Sequence, residues 1–265
     1  MSCDSQAGGA AEQSSSGGVI AVALGGCLAL AAAMGIGRFV YTPILPFMVQ
    51  GLGLSQAEAG VIASANFLGY LLGALAAAKA SLPGGRRRWF LISLGISALT
   101  TAAMALEASV PLFLVLRFAS GVASAFVLVF ASALVLDRLA AAGRPGLSAL
   151  HFAGVGLGIA GSAVLVALLA AGGVGWRGLW LASGALALLA LVAVLRLVPA
   201  EQEPPPPARG AAKTRPNPRL VALIVAYGLF GFGYVITATF ISTLVRLTPE
   251  LQWLEPYVWL TVGLA

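Results

Sequence analysis

Charge is the scarcest thing in this sequence. Asp, Glu, Lys and Arg make up 9% of it, against roughly 25% in a soluble domain, while 60% of the residues are apolar. No aqueous fold hides that much apolar surface, so the solvent of this chain is lipid. The single histidine, His151, leaves no room for a histidine-based metal cluster. The two cysteines, Cys3 and Cys27, lie in a polar tail and a first apolar run, which gives no disulfide framework. Carboxylates are confined to the tail and the connections. No carboxylate dyad, nucleophile–base pair or phosphate loop results, so neither an enzyme nor a cofactor is expected. The net charge of +6 does not point to nucleic acid, because the basic residues stand in short segments between apolar runs, the pattern that sets membrane topology.

What is present is a series of apolar runs. Residues 1–18 are rich in Ser, Gly and Ala and read as a disordered tail, without the basic start of a signal peptide. The first span, about Val19–Met48, has ~30 residues, or ~45 Å of straight helix against a hydrocarbon core of about 30 Å. Pro43 and Pro46 are expected to bend or end it. Ser55 and Glu58 form a capping box before a second span over 57–78, in which Gly69 and Gly73 give a close-packing face. A basic turn from Pro83 to Arg88 leads to spans over 89–106, 111–136, 149–171 and 178–198. Pro199–Pro218, with the run Pro204–Pro207, reads as a linker between domains. A seventh span covers 220–244 and an eighth begins near Tyr257. The expected organisation is therefore a tail (1–18), a six-helix bundle (19–198), a cytoplasmic linker (199–219) and the start of a second bundle (220–265). The segment from Tyr257 has nine residues where spanning takes about twenty. On that ground the chain reads as a truncated protein that does not transport as it stands, with span seven and the stub held loosely or at the edge of the bundle.

Lys and Arg counted over alternate connections set the orientation. One side collects Lys79, Arg86, Arg87, Arg88, Arg138, Arg144, Arg196, Arg209, Lys213, Arg215 and Arg219, and the other only Arg177 and Arg246. The amino terminus and the proline-rich linker are expected to be cytoplasmic.

Arg38 and Arg117 fall inside spans. A charge at that depth costs roughly 2.5–3.5 kcal/mol on translocon scales. Arg38 sits in Met34-Gly-Ile-Gly-Arg-Phe-Val-Tyr-Thr-Pro-Ile-Leu-Pro46 and has two readings, an anion or proton-coupling site and a side chain snorkelling to the headgroups. Arg117 likewise is either a second cation at the same depth or a brace on backbone carbonyls of neighbouring helices. His151 is a titrating gate or an interfacial histidine. Gly156-Leu-Gly-Ile-Ala-Gly161 matches a dinucleotide fingerprint, but no strand precedes it, and with Gly154 it reads as a helix-packing surface.

Gly35-Ile-Gly-Arg-Phe-Val-Tyr-Thr42 in span one is echoed by Gly231-Phe-Gly-Tyr-Val-Ile-Thr-Ala238 in span seven. A parallel repeat of six spans suggests two bundles related by an axis along the membrane normal. This organisation resembles the major facilitator superfamily of secondary transporters. Gly35-Ile-Gly-Arg-Phe-x-Tyr-Thr-Pro-x-Leu-Pro-x-Met48 is similar to the first-helix signature of the YbfB/YjiJ-type bacterial permeases, and Tyr227 to Phe240 is similar to their seventh-helix signature. Leu116-Arg-Phe-Ala-Ser-Gly121 resembles the superfamily's fourth-helix arginine motif. The basic turn departs from the usual pattern, with Ala77 near the expected acid.

The resemblance implies an all-α integral membrane fold, a six-helix N-terminal bundle plus helix 7 and the start of helix 8. It implies a multi-pass transporter of the inner membrane working by alternating access. Candidate substrate-binding or coupling residues are Arg38, Tyr41, Asn66, Arg117, Tyr227, Tyr234 and Thr237. Related drug–proton exchangers carry an acid near the position of Arg38, so an arginine there argues against a cationic drug and for an anionic small molecule. Protons are the candidate coupling ion, the bilayer is the other partner, and a monomer is expected. The competing reading is a membrane scaffold or sensor that uses the same fold without transporting.

Overall fold

The computed structural model describes residues 4–78, 85–106, 109–198 and 217–265, with the backbone alone for 4–16, 232, 235, 238 and 256. Its elements are helix α1 (Asp4–Leu30), a π-helical stretch (Ala31–Ile36), α2 (Tyr41–Leu52), α3 (Gln56–Ala78), α4 (Arg86–Ala103), α5 (Val110–Ala141), α6 (Ser148–Ala171), α7 (Trp176–Leu197), α8 (Pro218–Leu247) and α9 (Glu255–Leu264). Short 3-10 turns, Pro145–Leu147 and Pro249–Leu254, lead into α6 and α9. No strand occurs among the described residues, and five of the helical stretches are long and apolar enough to cross a membrane. The linker 199–216 and the turn 79–84 lie outside the described residues.

Polarity is arranged for lipid. Leu68, Leu71, Leu75, Leu99, Leu168 and Leu189 are each more than half exposed, as side chains facing hydrocarbon should be. The interior holds large apolar residues such as Trp180, Phe90 and Phe113 together with small hydroxyls. Those hydroxyls bond back to their own helix: Thr101 to the Ser97 carbonyl at 2.7 Å and Ser183 to that of Leu179 at 2.7 Å. A buried hydroxyl so satisfied costs little.

The expected capping box is present. Ser55 N donates to Glu58 Oε2 at 2.8 Å and Glu58 N donates to Ser55 Oγ at 3.2 Å. Just before it, α2 ends on Gly53 at φ +68°, whose N–H bonds the Val49 carbonyl, a left-handed stop that glycine takes without a steric cost. Gly69 and Gly73 pack on α5, where a Cβ on Gly73 would lie 2.8 Å from the Val122 carbonyl oxygen. The α6 glycines divide between two neighbours. Gly154 and Gly158 sit against the backbone of Cys27 and Ala31, and Gly156 against Gly263 of α9.

Two expectations need correction. Helix α1 starts at Asp4, inside the segment expected to be a disordered tail; no proline interrupts the Ala- and Ser-rich stretch, and it continues the first span. That span does not break at its prolines. The π-helix ends at Ile36, Gly37–Val40 form turns, and both prolines lie within α2. Pro43 stands in the first turn, where a missing N–H leaves no bond unmade. The stub is seated on the bundle: a Cβ on Gly263 would stand 2.7 Å from the Gly156 oxygen, so α9 lies against α6 backbone to backbone. Span seven is attached along part of its length only. Thr239, Ser242, Thr243 and Val245 are buried, whereas Leu220–Phe230 are exposed.

The basic end of the bundle carries Arg86, Arg87 and Arg88 in the first turn of α4, Arg138 in the last turn of α5 and Arg144 just after α5. There Arg86 pairs with Asp137 at 2.9 Å and Arg87 Nε donates to the Val198 carbonyl at 3.1 Å. Ala77 stands where the family pattern expects an acid, and Asp137 of α5 partners the basic turn in this structure. The pair is solvent-exposed enough to contribute about 0–1 kcal/mol.

Candidate functional site

The break in span one frees backbone groups in mid-bundle, and irregular backbone at membrane depth persists only where it is covered by protein or lines a cavity. Arg117 covers it. Its Nη1 donates to the Gly37 carbonyl at 2.8 Å and its Nη2 to the Arg38 carbonyl at 2.7 Å. Ser120 Oγ donates to the same Gly37 oxygen at 3.0 Å. Arg117 is 3% exposed, and its guanidinium carbon lies 5.1 Å from the Tyr41 ring centre. Asn66 holds α5 from the other side, donating from Nδ2 to the Arg117 carbonyl at 2.9 Å. Tyr41 is committed as well, its hydroxyl donating to the Ala59 carbonyl at 2.9 Å. Arg117, Tyr41 and Asn66 thus form a brace that fixes the break.

Arg38 is placed differently. The turn aims its side chain away from the brace into a ring of aromatic groups. Its guanidinium carbon is 3.8 Å from the centre of the Tyr70 ring, 5.0 Å from Phe67 and 5.3 Å from Phe39. The Tyr70 and Tyr234 phenols are the polar groups near the guanidinium. No carboxylate pairs with Arg38 among the described residues. Its Nε is buried without a partner. Arg38 and Arg117 line one small cavity, so two cations lie close together in a region without a described anion.

The sequence candidates on α8 divide. Tyr234 joins the Arg38 ring, stacked at 6.2 Å on Phe230, which in turn stands 6.3 Å from Tyr227. Tyr227 is 75% exposed. Thr237 is exposed and is not brought to Arg38. In its place Thr239 lines a cavity of about 10 Å³ with Arg38, Tyr41, Thr42, Phe67 and Arg117, room for about one water. Sequence reasoning missed Phe67 and Tyr70. The available signal was that they are the aromatic residues of α3, three apart and so on one face.

His151, in the first turn of α6, is fully buried. Its Nε2 lies 3.0 Å from Ser132 Oγ, between α5 and α6 and away from Arg38. No group of residues suited to a metal occurs among the described residues.

The arrangement is an all-α membrane fold of the major facilitator type. A crystal structure of a mutant of the nucleoside transporter NupG shares the fold at a TM-score of 0.62, with 14% identity over 92% of this chain and 64% of that one. The chain therefore spans less than two thirds of that protein. A family model described as uncharacterised MFS-type transporter YbfB matches residues 30–265, and the chain belongs to that family. No curated protein matches the sequence.

Proposed function

We propose that the protein is a secondary transporter of small organic anions, in which Arg38 receives the anionic group and Tyr70 and Tyr234 flank it. The observation that carries this reading is a guanidinium at mid-span, ringed by aromatic faces and accompanied by no carboxylate among the described residues. An anionic solute would neutralise that charge, and an aromatic wall would take the solute's apolar body. The break at Gly37 gives Arg38 its aim, and the aromatic face of α8 gives alternating access a moving wall. The membrane scaffold is the weaker reading, because a scaffold has no use for a costly cation without a counter-ion.

Three further parts belong to the proposal. The carrier acts as a monomer in the inner membrane, with its amino terminus and basic end in the cytoplasm. Residues 19–198 act as one bundle, and residues from 220 begin the second. The described carboxylates of the spans, Glu58 and Asp137, stand near helix ends and away from Arg38, so a solute crossing as its protonated acid would carry the coupling proton itself.

The intact protein in proteoliposomes is expected to accumulate members of a panel of small monocarboxylates and to ignore cationic amines of the same size. Uptake confined to cations or neutral solutes would reject the anion reading. Reporter fusions after Arg88 are expected to report cytoplasm and fusions after Gly53 the opposite side; the reverse pattern would invert the orientation.

A further inference from the structure

The first bundle and the segment from Pro218 meet along a seam that is closed at one end. On α8, Thr239, Ser242, Thr243 and Val245 are buried, whereas Leu220–Phe230 are exposed. At the end away from the basic turn, Arg246 crosses the seam. Its Nη2 donates to Gln50 Oε1 of α2 at 3.0 Å, and its guanidinium carbon lies 4.5 Å from the ring centre of Phe47 on the same helix. On its own side of the seam Arg246 is held in place. Its Nη1 donates to Glu255 Oε1 at 3.1 Å, and Gln252 Nε2 donates to the Arg246 carbonyl at 3.0 Å. The Arg246 and Glu255 side chains are only 24% and 25% exposed, so salt screens this pair less than one on an open surface.

Two voids lie in line with this crossing. A cleft of about 640 Å³ is lined by Gln50, Thr243, Arg246, Gln252 and Glu255. A cavity of about 160 Å³ shares Arg246 and Glu255 with it and reaches Phe47 and Trp259. Beyond that cavity Trp259 stands 6.3 Å from Phe39, ring centre to ring centre, and Phe39 lies against Arg38. The way from the far end to Arg38 is thus shut twice, first by the Arg246 network and then by the aromatic pair. The bond from Arg246 to Gln50 exists only while the two parts touch, so it favours the closed arrangement alone. Gln50 is exposed, so water can replace Arg246 when the seam parts, and the bond can be remade in each cycle. We propose that Arg246 is the latch of a far-end gate, anchored by Glu255 on the second part and caught by Gln50 and Phe47 on the first, and that its release opens the path to Arg38 from that side. This rests on the alternating-access part of the transport reading and not on the charge of the solute.

The test is double electron–electron resonance on the intact protein carrying Cys3→Ser and Cys27→Ala. Spin labels at Gln56→Cys and Leu251→Cys, both exposed positions, report the two sides of the seam at its far end. Gln50→Leu keeps the bulk of the side chain and removes the acceptor. It is expected to add a longer-distance population, raising the open-to-closed ratio about tenfold, as the loss of one charge-assisted bond implies. Arg246→Ala, which loses the Phe47 contact as well, is expected to raise the ratio further. Arg177→Ala removes a cation whose described contact is Trp176, its neighbour on α7, and is expected to leave the distances unchanged. Arg38→Ala is expected to leave them unchanged too while lowering anion flux, which separates the gate from the solute site. If the latch variants respond and no anion of the panel is taken up, the latch stands and the anion reading falls. Distances in Gln50→Leu and Arg246→Ala identical to those of the unaltered protein would overturn the latch, as would an equal shift in Arg177→Ala.

Discussion

Arg38→Ala is expected to lower anion flux by about 100-fold, the loss typical of removing one partner from a desolvated charge pair, while the melting temperature stays within a few degrees. The two halves of that result come from one geometry. Arg38 makes contacts with rings and one phenol but has no described carboxylate, so its removal relieves a desolvated charge as well as losing cation–π contacts worth about 0.5–2 kcal/mol. The fold is therefore nearly indifferent to the change, and the solute is not. Arg38→Lys is expected to restore less than about a tenth of the flux, because a compact ammonium neither stacks on Tyr70 as a plane nor binds a carboxylate with two nitrogens. Counterflow in proteoliposomes at matched protein content measures the flux, and normal flux in Arg38→Ala would leave snorkelling as the better account of this residue.

How far the sequence reaches can be seen at these same residues. Local chemistry was legible wherever cause and effect lie within one helix turn. Ser55 and Glu58 cap α3 as their spacing predicts, and Gly69 and Gly73 bring α5 close. The lipid-facing character of the chain follows from composition alone. The break in span one was not legible, because prolines are the strongest local signal for a bend and the actual cause is remote. Arg117 lies 80 residues from Gly37, whose carbonyl it holds, and no local rule reports that partner. The same distance hides which arginine is the brace. Both are lone cations in apolar runs, and only the fold shows that one guanidinium is spent on backbone while the other faces a ring of aromatics. The repeat shows the limit from another side. Its second copy lies within the unbroken α8, although the matching first copy is π-helix and turn. A shared Gly-x-Gly permits the break but does not impose it, and α8 has no described arginine holding the corresponding carbonyls.

Arg117→Ala is expected to destabilise the protein far more than any other single change at the site. Its two charge-assisted bonds go to carbonyls that no helix can satisfy, and bonds to charged groups contribute roughly 1.5–3 kcal/mol each. Removing them also leaves the Gly37 oxygen with Ser120 Oγ as its remaining described side-chain donor and the Arg38 oxygen uncovered in a region from which water is largely excluded. The summed loss is about 3–6 kcal/mol, which at roughly 2–4 °C per kcal/mol lowers the melting temperature by about 6–24 °C. Asn66→Ala is the scale for comparison. It removes one neutral bond, to the Arg117 carbonyl, and neutral side-chain bonds between membrane helices average about 0.6 kcal/mol, so a shift of only a few degrees is expected. Arg117→Lys is expected to fall between them, since one ammonium can hold one carbonyl well but cannot match the fork that spans both. Scanning fluorimetry in detergent ranks the three variants, and flux is measured on whatever remains folded. The predicted signature is that transport by Arg117→Ala falls in proportion to folded protein. If Arg117→Ala instead melted like the unaltered protein and lost transport outright, the guanidinium would be a solute ligand, and the break in span one would need another support.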